Sequence, residues 1–71
     1  MSWGYGDRVR LTVDLRKYDS RCDIGAEGVI GQPVSGWARQ YENCVGVYFD
    51  SGAQLDVFMN SLEPLPEGAK K

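Results

Sequence analysis

From Cys44 onward the chain alternates strictly between apolar and other positions. Val45, Val47 and Phe49 take every second place, Asp50-Ser51-Gly52 interrupts, and Leu55, Val57 and Met59 resume the pattern. A period of two puts such side chains on one face of a strand, and a three-residue loop ending in glycine supplies the φ > 0 residue of a bulged hairpin turn. Strands from Cys44 to Phe49 and from Ala53 to Met59 then pair Val47 with Leu55 and Val45 with Val57. The opposite face of this ribbon sets Phe58 against Cys44 and Asp56 against Gly46, with Tyr48 on the same side. Two aromatics flanking a glycine leave a shallow depression on an unusually apolar face. That face is expected to meet a partner.

The same alternation predicts a first strand from Arg8 to Leu15, with Val9, Leu11, Val13 and Leu15 inward. Asp14 to Gly25 is too polar and irregular for either regular element and reads as a long loop. A short second strand follows from Glu27 to Ile30, framed by Gly25, Gly28 and Gly31, a density of glycine that predicts a tight bend or a bulge where two strands cross closely. Gln32 to Asn43, broken by Pro33 and Gly36, is a second long loop. Asn60 to Leu65 reads as one 3₁₀ turn running into a short closing strand, because Pro64 drives Glu63 toward an extended backbone. Leu62 and Leu65 would plug one end of the core, and residues 66–71 would form a flexible tail. One all-β domain over residues 1–65 is expected, its five strands separated by two long loops, a tight distal hairpin and a 3₁₀ turn before the last strand.

Seventy-one residues allow a single small core, with stability of about 3–5 kcal/mol. A chain that is 42% hydrophobic and 25% charged is composed like a folded globular domain. It contains no apolar run long enough to span a membrane, and its first residues lack the basic and apolar regions of an export signal. A cytoplasmic location is the expectation, and with it two reduced structural thiols, Cys22 and Cys44, rather than a disulfide. With no histidine, the chain has neither a usual zinc set nor an obvious general acid–base, so no metal, cofactor or enzymatic role is expected.

Several runs carry a resemblance. Gly6-Asp7-Arg8-Val9-Arg10, Gly25-Ala26-Glu27-Gly28-Val29-Ile30, Val47-Tyr48-Phe49-Asp50 and Leu62-Glu63-Pro64-Leu65 resemble the signatures of small bacterial and plastid SH3-like barrels. That grouping includes KOW-type domains, a small SH3-like component of photosystem I, the variable chain of ferredoxin–thioredoxin reductase and the ferredoxin-docking component of photosynthetic NDH complexes. The resemblance implies a five-stranded SH3-like barrel acting as an accessory subunit or interaction module. The Gly-Asp-Arg-Val-Arg opening is also similar to type II plasmid-borne dihydrofolate reductases, whose pore is built from a Gln-Ile-Tyr strand. Here the matching place reads Gln54-Leu55-Asp56, and a repeated carboxylate would repel anionic folate, so that likeness implies at most a degenerate relative.

The net charge of −2 is unevenly distributed. Arg8, Arg10, Arg16, Lys17 and Arg21 crowd the first strand and loop, whereas Glu42, Asp50, Asp56, Glu63 and Glu67 are the only charges from Glu42 to Glu67. The basic set is the candidate phosphate-tracking surface of a nucleic-acid-binding alternative, which the acidic balance disfavours. Trp3, Tyr18, Trp37, Tyr41, Tyr48 and Phe58 are more aromatic surface than so small a core can hide. Trp3 is expected to fold over an open end of the barrel. Trp37, Tyr41, Tyr48 and Phe58, with Asp56 at their edge and Tyr18 on the first loop, are the candidate protein-binding residues, since exposed aromatics anchor interfaces. The aromatic motif of proline-reading SH3 domains is missing, its place reading Leu15-Arg16-Lys17-Tyr18-Asp19-Ser20, although Tyr18, Trp37 and Pro64 fall roughly at groove positions.

Overall fold

The computed structural model describes residues 4–65 and is all-β, with five antiparallel strands in one sheet. The expectations for Trp3 and for residues 66–71 lie outside the described residues. The strands are β1 (Arg8–Leu11), β2 (Glu27–Gly31), β3 (Cys44–Phe49), β4 (Gln54–Phe58) and β5 (Leu62–Pro64), in the order β4-β3-β2-β1-β5. Every ladder is antiparallel. Strands β4 and β5 are therefore the two edges.

The distal hairpin has the register set by its alternation: Val45 faces Val57, Val47 faces Leu55, Gly46 faces Asp56 and Cys44 faces Phe58. Gly52 closes the turn at φ +98°, a backbone region that strains any side chain with a Cβ. The N–H of Gly52 donates to the Phe49 carbonyl and that of Phe49 to the Ala53 carbonyl, which locks the bulged turn. Beside it, β2 and β3 cross tightly at Gly28, where a Cβ would lie 2.6 Å from the Tyr48 carbonyl oxygen.

Strand β1 is shorter than its alternation suggests. It ends at Leu11 because its partners end there: Arg10 faces Glu27, the first residue of β2, and Leu11 faces Leu62, the first of β5. Val13 and Leu15 continue the apolar period without a ladder and are only half-buried. The first loop then folds on its own bonds. The Leu15 N–H donates to the Cys22 carbonyl and the Cys22 N–H to that of Asp19, which carries the Cys22 thiol into the core.

That core joins Val9, Leu11, Cys22, Ile30, Val45, Val47, Phe49, Ala53, Val57 and Leu62. The side of the ribbon bearing Val45, Val47, Val57 and Leu55 thus faces inward. Both cysteines are free and buried, and burial pushes both thiols up from their ordinary value, with the nearby carboxylates Asp19 and Asp56 adding to the effect. Protonated, buried thiols are poor nucleophiles. No helix among the described residues is long and apolar enough to cross a membrane.

Candidate binding groove

The outer face of the ribbon is not the open depression that its sequence suggests. The second loop folds back over it, so that a Cβ on Gly46 would collide with the Gln32 carbonyl oxygen and lie 3.3 Å from the Pro33 Cα. Only glycine lets the two backbones approach this closely. Side chains on either side hold the loop in place. The N–H groups of Val34 and Ser35 donate to the two oxygens of Asp56 at 2.6 and 2.9 Å. The Tyr48 hydroxyl donates to the Gln32 carbonyl at 2.9 Å, and its ring lies against Gly31. Asp56 and Tyr48, read from sequence as partner-facing, therefore act first as clamps on the second loop.

This clamp over residues 32–35 sets the position of the 3₁₀ turn beyond it. That turn, Gly36–Gln40, buries Ala38 beneath it and leaves Trp37 outward. The rings of Trp37, Tyr41 and Phe58 then form an edge-to-face row, with centroids 6.2 Å apart for Trp37–Tyr41 and 5.6 Å for Tyr41–Phe58. Such pairs stabilise by about 0.5–1.5 kcal/mol each beyond their buried area. All three remain open to solvent, at 51%, 48% and 37% exposure, and Tyr18 is 64% exposed.

Trp37, Phe58, Asp56 and Tyr18 meet in one groove of about 430 Å³. It runs along β4, with Leu15 and Tyr18 of the first loop on one side, Val34 and Trp37 of the second on the other, and Ser61 at its end. Four of the six predicted partner-binding residues are thus brought together. The remaining two do not line it: Tyr41, the middle ring of the row, borders a different hollow, and Tyr48 leans over Gly31. Pro64 does not line the groove. Leu15 and Leu55 do, although alternation alone assigns them to the core. Both pack half-buried against the core: Leu55 lies on β4, which no further strand covers among the described residues, and Leu15 lies on the first loop beyond the end of β1.

A larger hollow of about 730 Å³ is bordered by Tyr5, Gln32, Pro33, Arg39, Tyr41 and Glu42 among others.

The basic set is largely consumed by carboxylates. Arg8 grips Asp50 with two nitrogens at 3.0 and 2.7 Å and reaches Glu27 at 3.4 Å. Arg10 pairs with Glu63, its direct cross-strand neighbour, at 2.7 Å. Arg16 holds Asp14 at 3.0 Å, and Arg21 holds Asp19 at the same distance. These hydrogen bonds pull the Asp50, Asp14 and Asp19 carboxyls below their ordinary values and raise Arg8, Arg16 and Arg21. Of the five predicted phosphate contacts only Lys17 lacks an ion pair among the described residues, and its Nζ lies over the Tyr18 ring. Among the described residues no three His, Cys, Asp or Glu side chains cluster as metal ligands. No family model matches the chain, and no curated protein or solved structure matches it.

Proposed function

We propose that this chain is an SH3-like barrel that works as a small, non-enzymatic protein-interaction module or accessory subunit, taking its partner in the groove along β4. The strand order, the two long loops, the distal hairpin and the 3₁₀ turn before β5 support the barrel reading. The binding reading rests on one observation: the exposed rings of Tyr18, Trp37 and Phe58 converge on a single, mostly apolar groove. A small domain leaves that much aromatic surface open at little benefit to its own stability, and aromatic anchors in a concavity are the usual source of interface energy. Protein is preferred to nucleic acid as the partner because the arginines that would track phosphates are engaged with aspartate and glutamate, and breaking those pairs would offset the gain.

A pull-down from native lysate tests this, run with and without nuclease and with the wild type beside a Trp37→Ala/Phe58→Ala double variant. The expected result is a protein retained in both nuclease arms and lost from the variant while its circular dichroism stays native. Retention that vanishes on nuclease treatment would favour the nucleic-acid alternative and contradict the proposal.

A further inference from the structure

We infer that the groove takes an extended peptide segment carrying a cationic side chain, added as a strand along β4 with its charge beside Asp56; this rests on the protein-binding reading above. The backbone of β4 is open to such a strand. In an antiparallel ladder, residues alternate between those whose N–H and C=O point at the neighbouring strand and those whose groups point away. The Met59 N–H donates to the Asn43 carbonyl and the Phe49 N–H to that of Ala53, both at 2.8 Å, which fixes the phase around the Val45–Val57 and Val47–Leu55 pairs. That phase turns the main-chain groups of Leu55 and Val57 toward β3 and those of Gln54, Asp56 and Phe58 outward. β4 has a single neighbour, and among the described residues the outward groups of Gln54 and Asp56 and the N–H of Phe58 have no other backbone partner, while the Phe58 carbonyl caps the 3₁₀ turn Met59–Ser61.

The groove is bordered by every residue from Gln54 to Phe58, drawn from both faces of the strand. A hollow that touches both faces of a strand lies against its open edge. Roughly 17 Å of strand edge, with free main-chain groups at Gln54 and Asp56 and the Phe58 N–H, therefore forms the floor of an apolar slot. An extended segment satisfies such a row of donors and acceptors with its own main chain. A polyproline helix, with no regular hydrogen bonding to offer, leaves them unmet.

Charge selects the side chain. Among the described residues Asp56 is the only charged one lining the groove, and its two backbone donors orient the carboxylate without cancelling its charge. Trp37 and Phe58 border the same space, and aromatic faces attract cations, arginine above all because its planar guanidinium also stacks. At the other end, Lys17 Nζ already sits 5.2 Å from the centre of the Tyr18 ring, so an incoming cation is repelled there and directed to Asp56. A second copy of this chain is a poorer occupant. Self-pairing of β4 about its middle would set Asp56 against Asp56, a like-charge pair in direct opposition.

Short random linear peptides displayed on phage and selected on the immobilised full chain supply the probe, and the recovered sequences are then synthesised and their affinities measured. Recovered peptides are expected to share one arginine or lysine between apolar residues and to lose binding to Trp37→Ala and Phe58→Ala. Replacing that arginine by neutral citrulline should weaken binding by about tenfold or more, and N-methylation along the peptide should hurt at every second residue. Peptides that need Trp37 and Phe58 yet tolerate citrulline, or tolerate N-methylation throughout, would overturn this inference and leave the groove reading standing. Recovery of nothing, or only of peptides indifferent to Trp37→Ala and Phe58→Ala, would overturn both.

Discussion

Replacing Gly46 by alanine adds one methyl group between two backbones. The new carbon would collide with the Gln32 carbonyl oxygen and lie 3.0 Å from its carbon and 3.3 Å from the Pro33 Cα. Backbone atoms cannot swing aside as a side-chain tip can, so the second loop must shift as a unit. Overpacking of this kind costs about 1–3 kcal/mol, against about 0.5–1 kcal/mol that alanine gains over glycine within a strand. A lifted loop also strains the bonds from Val34 and Ser35 to Asp56 and from Tyr48 to Gln32, each contributing about 1 kcal/mol net. The expected balance is a loss of about 1–2 kcal/mol, read as a fall of roughly 5–15 °C in the thermal midpoint by circular dichroism. The loss should shrink by about 0.5–1 kcal/mol when Asp56→Ala has already released the loop, since the two residues act on the same segment. A neutral or stabilising Gly46→Ala, or strict additivity with Asp56→Ala, would refute the seating of the loop on the ribbon.

Three further outcomes are expected. Val47→Asp buries an unpaired charge at a fully enclosed site among Val9, Leu11 and Val57, exceeding the ~3–5 kcal/mol such a chain has to lose, so no cooperative thermal transition should remain. Gly52→Val forces a β-branched residue to φ near +98° and should cost about 1–2 kcal/mol or more; an unchanged midpoint would contradict the bulged turn. Asp14, Asp19 and Asp50 are held below their ordinary 3.8, chiefly by side-chain hydrogen bonds from Arg16, Arg21 and Arg8. A lowered folded value means stability fully present above 3.8 and lost as pH falls through the folded values. The midpoint should thus stay level from about pH 8 to 5 and drop at lower pH, less steeply in Asp50→Asn; a rise on acidification would overturn the pairing.

The hairpin was legible because its two signals are local. Alternation sets the faces, and Gly52 sets the turn, so the register from Cys44 to Phe58 follows without knowledge of the rest. The end of β1 was not legible, since Val13 and Leu15 keep the apolar period while the strand stops for want of a partner. Pro33 and Gly36 marked the second loop, but nothing in its composition says where it lands. Its seat on Gly46, its clamping by Asp56 and the 3₁₀ turn that presents Trp37 are tertiary facts. For the same reason the candidate residues could be chosen by type and exposure, whereas the groove that gathers Tyr18, Trp37 and Phe58 depends on two loops meeting across β4. Gly46 beside two aromatics did carry a signal, though of a loop docked on the ribbon rather than of an empty depression.

Affinity ranking against the protein retained from nuclease-treated lysate tests the central claim most directly. Phe58→Ala and Trp37→Ala, both folded, should each weaken binding by about 2 kcal/mol or more, as hot-spot truncations do. Arg16→Ala and Lys17→Ala should alter mainly the salt dependence of association, as rim charges do. Dominance of the basic loop, with both aromatic truncations neutral, would contradict the account and move the binding surface to the first loop.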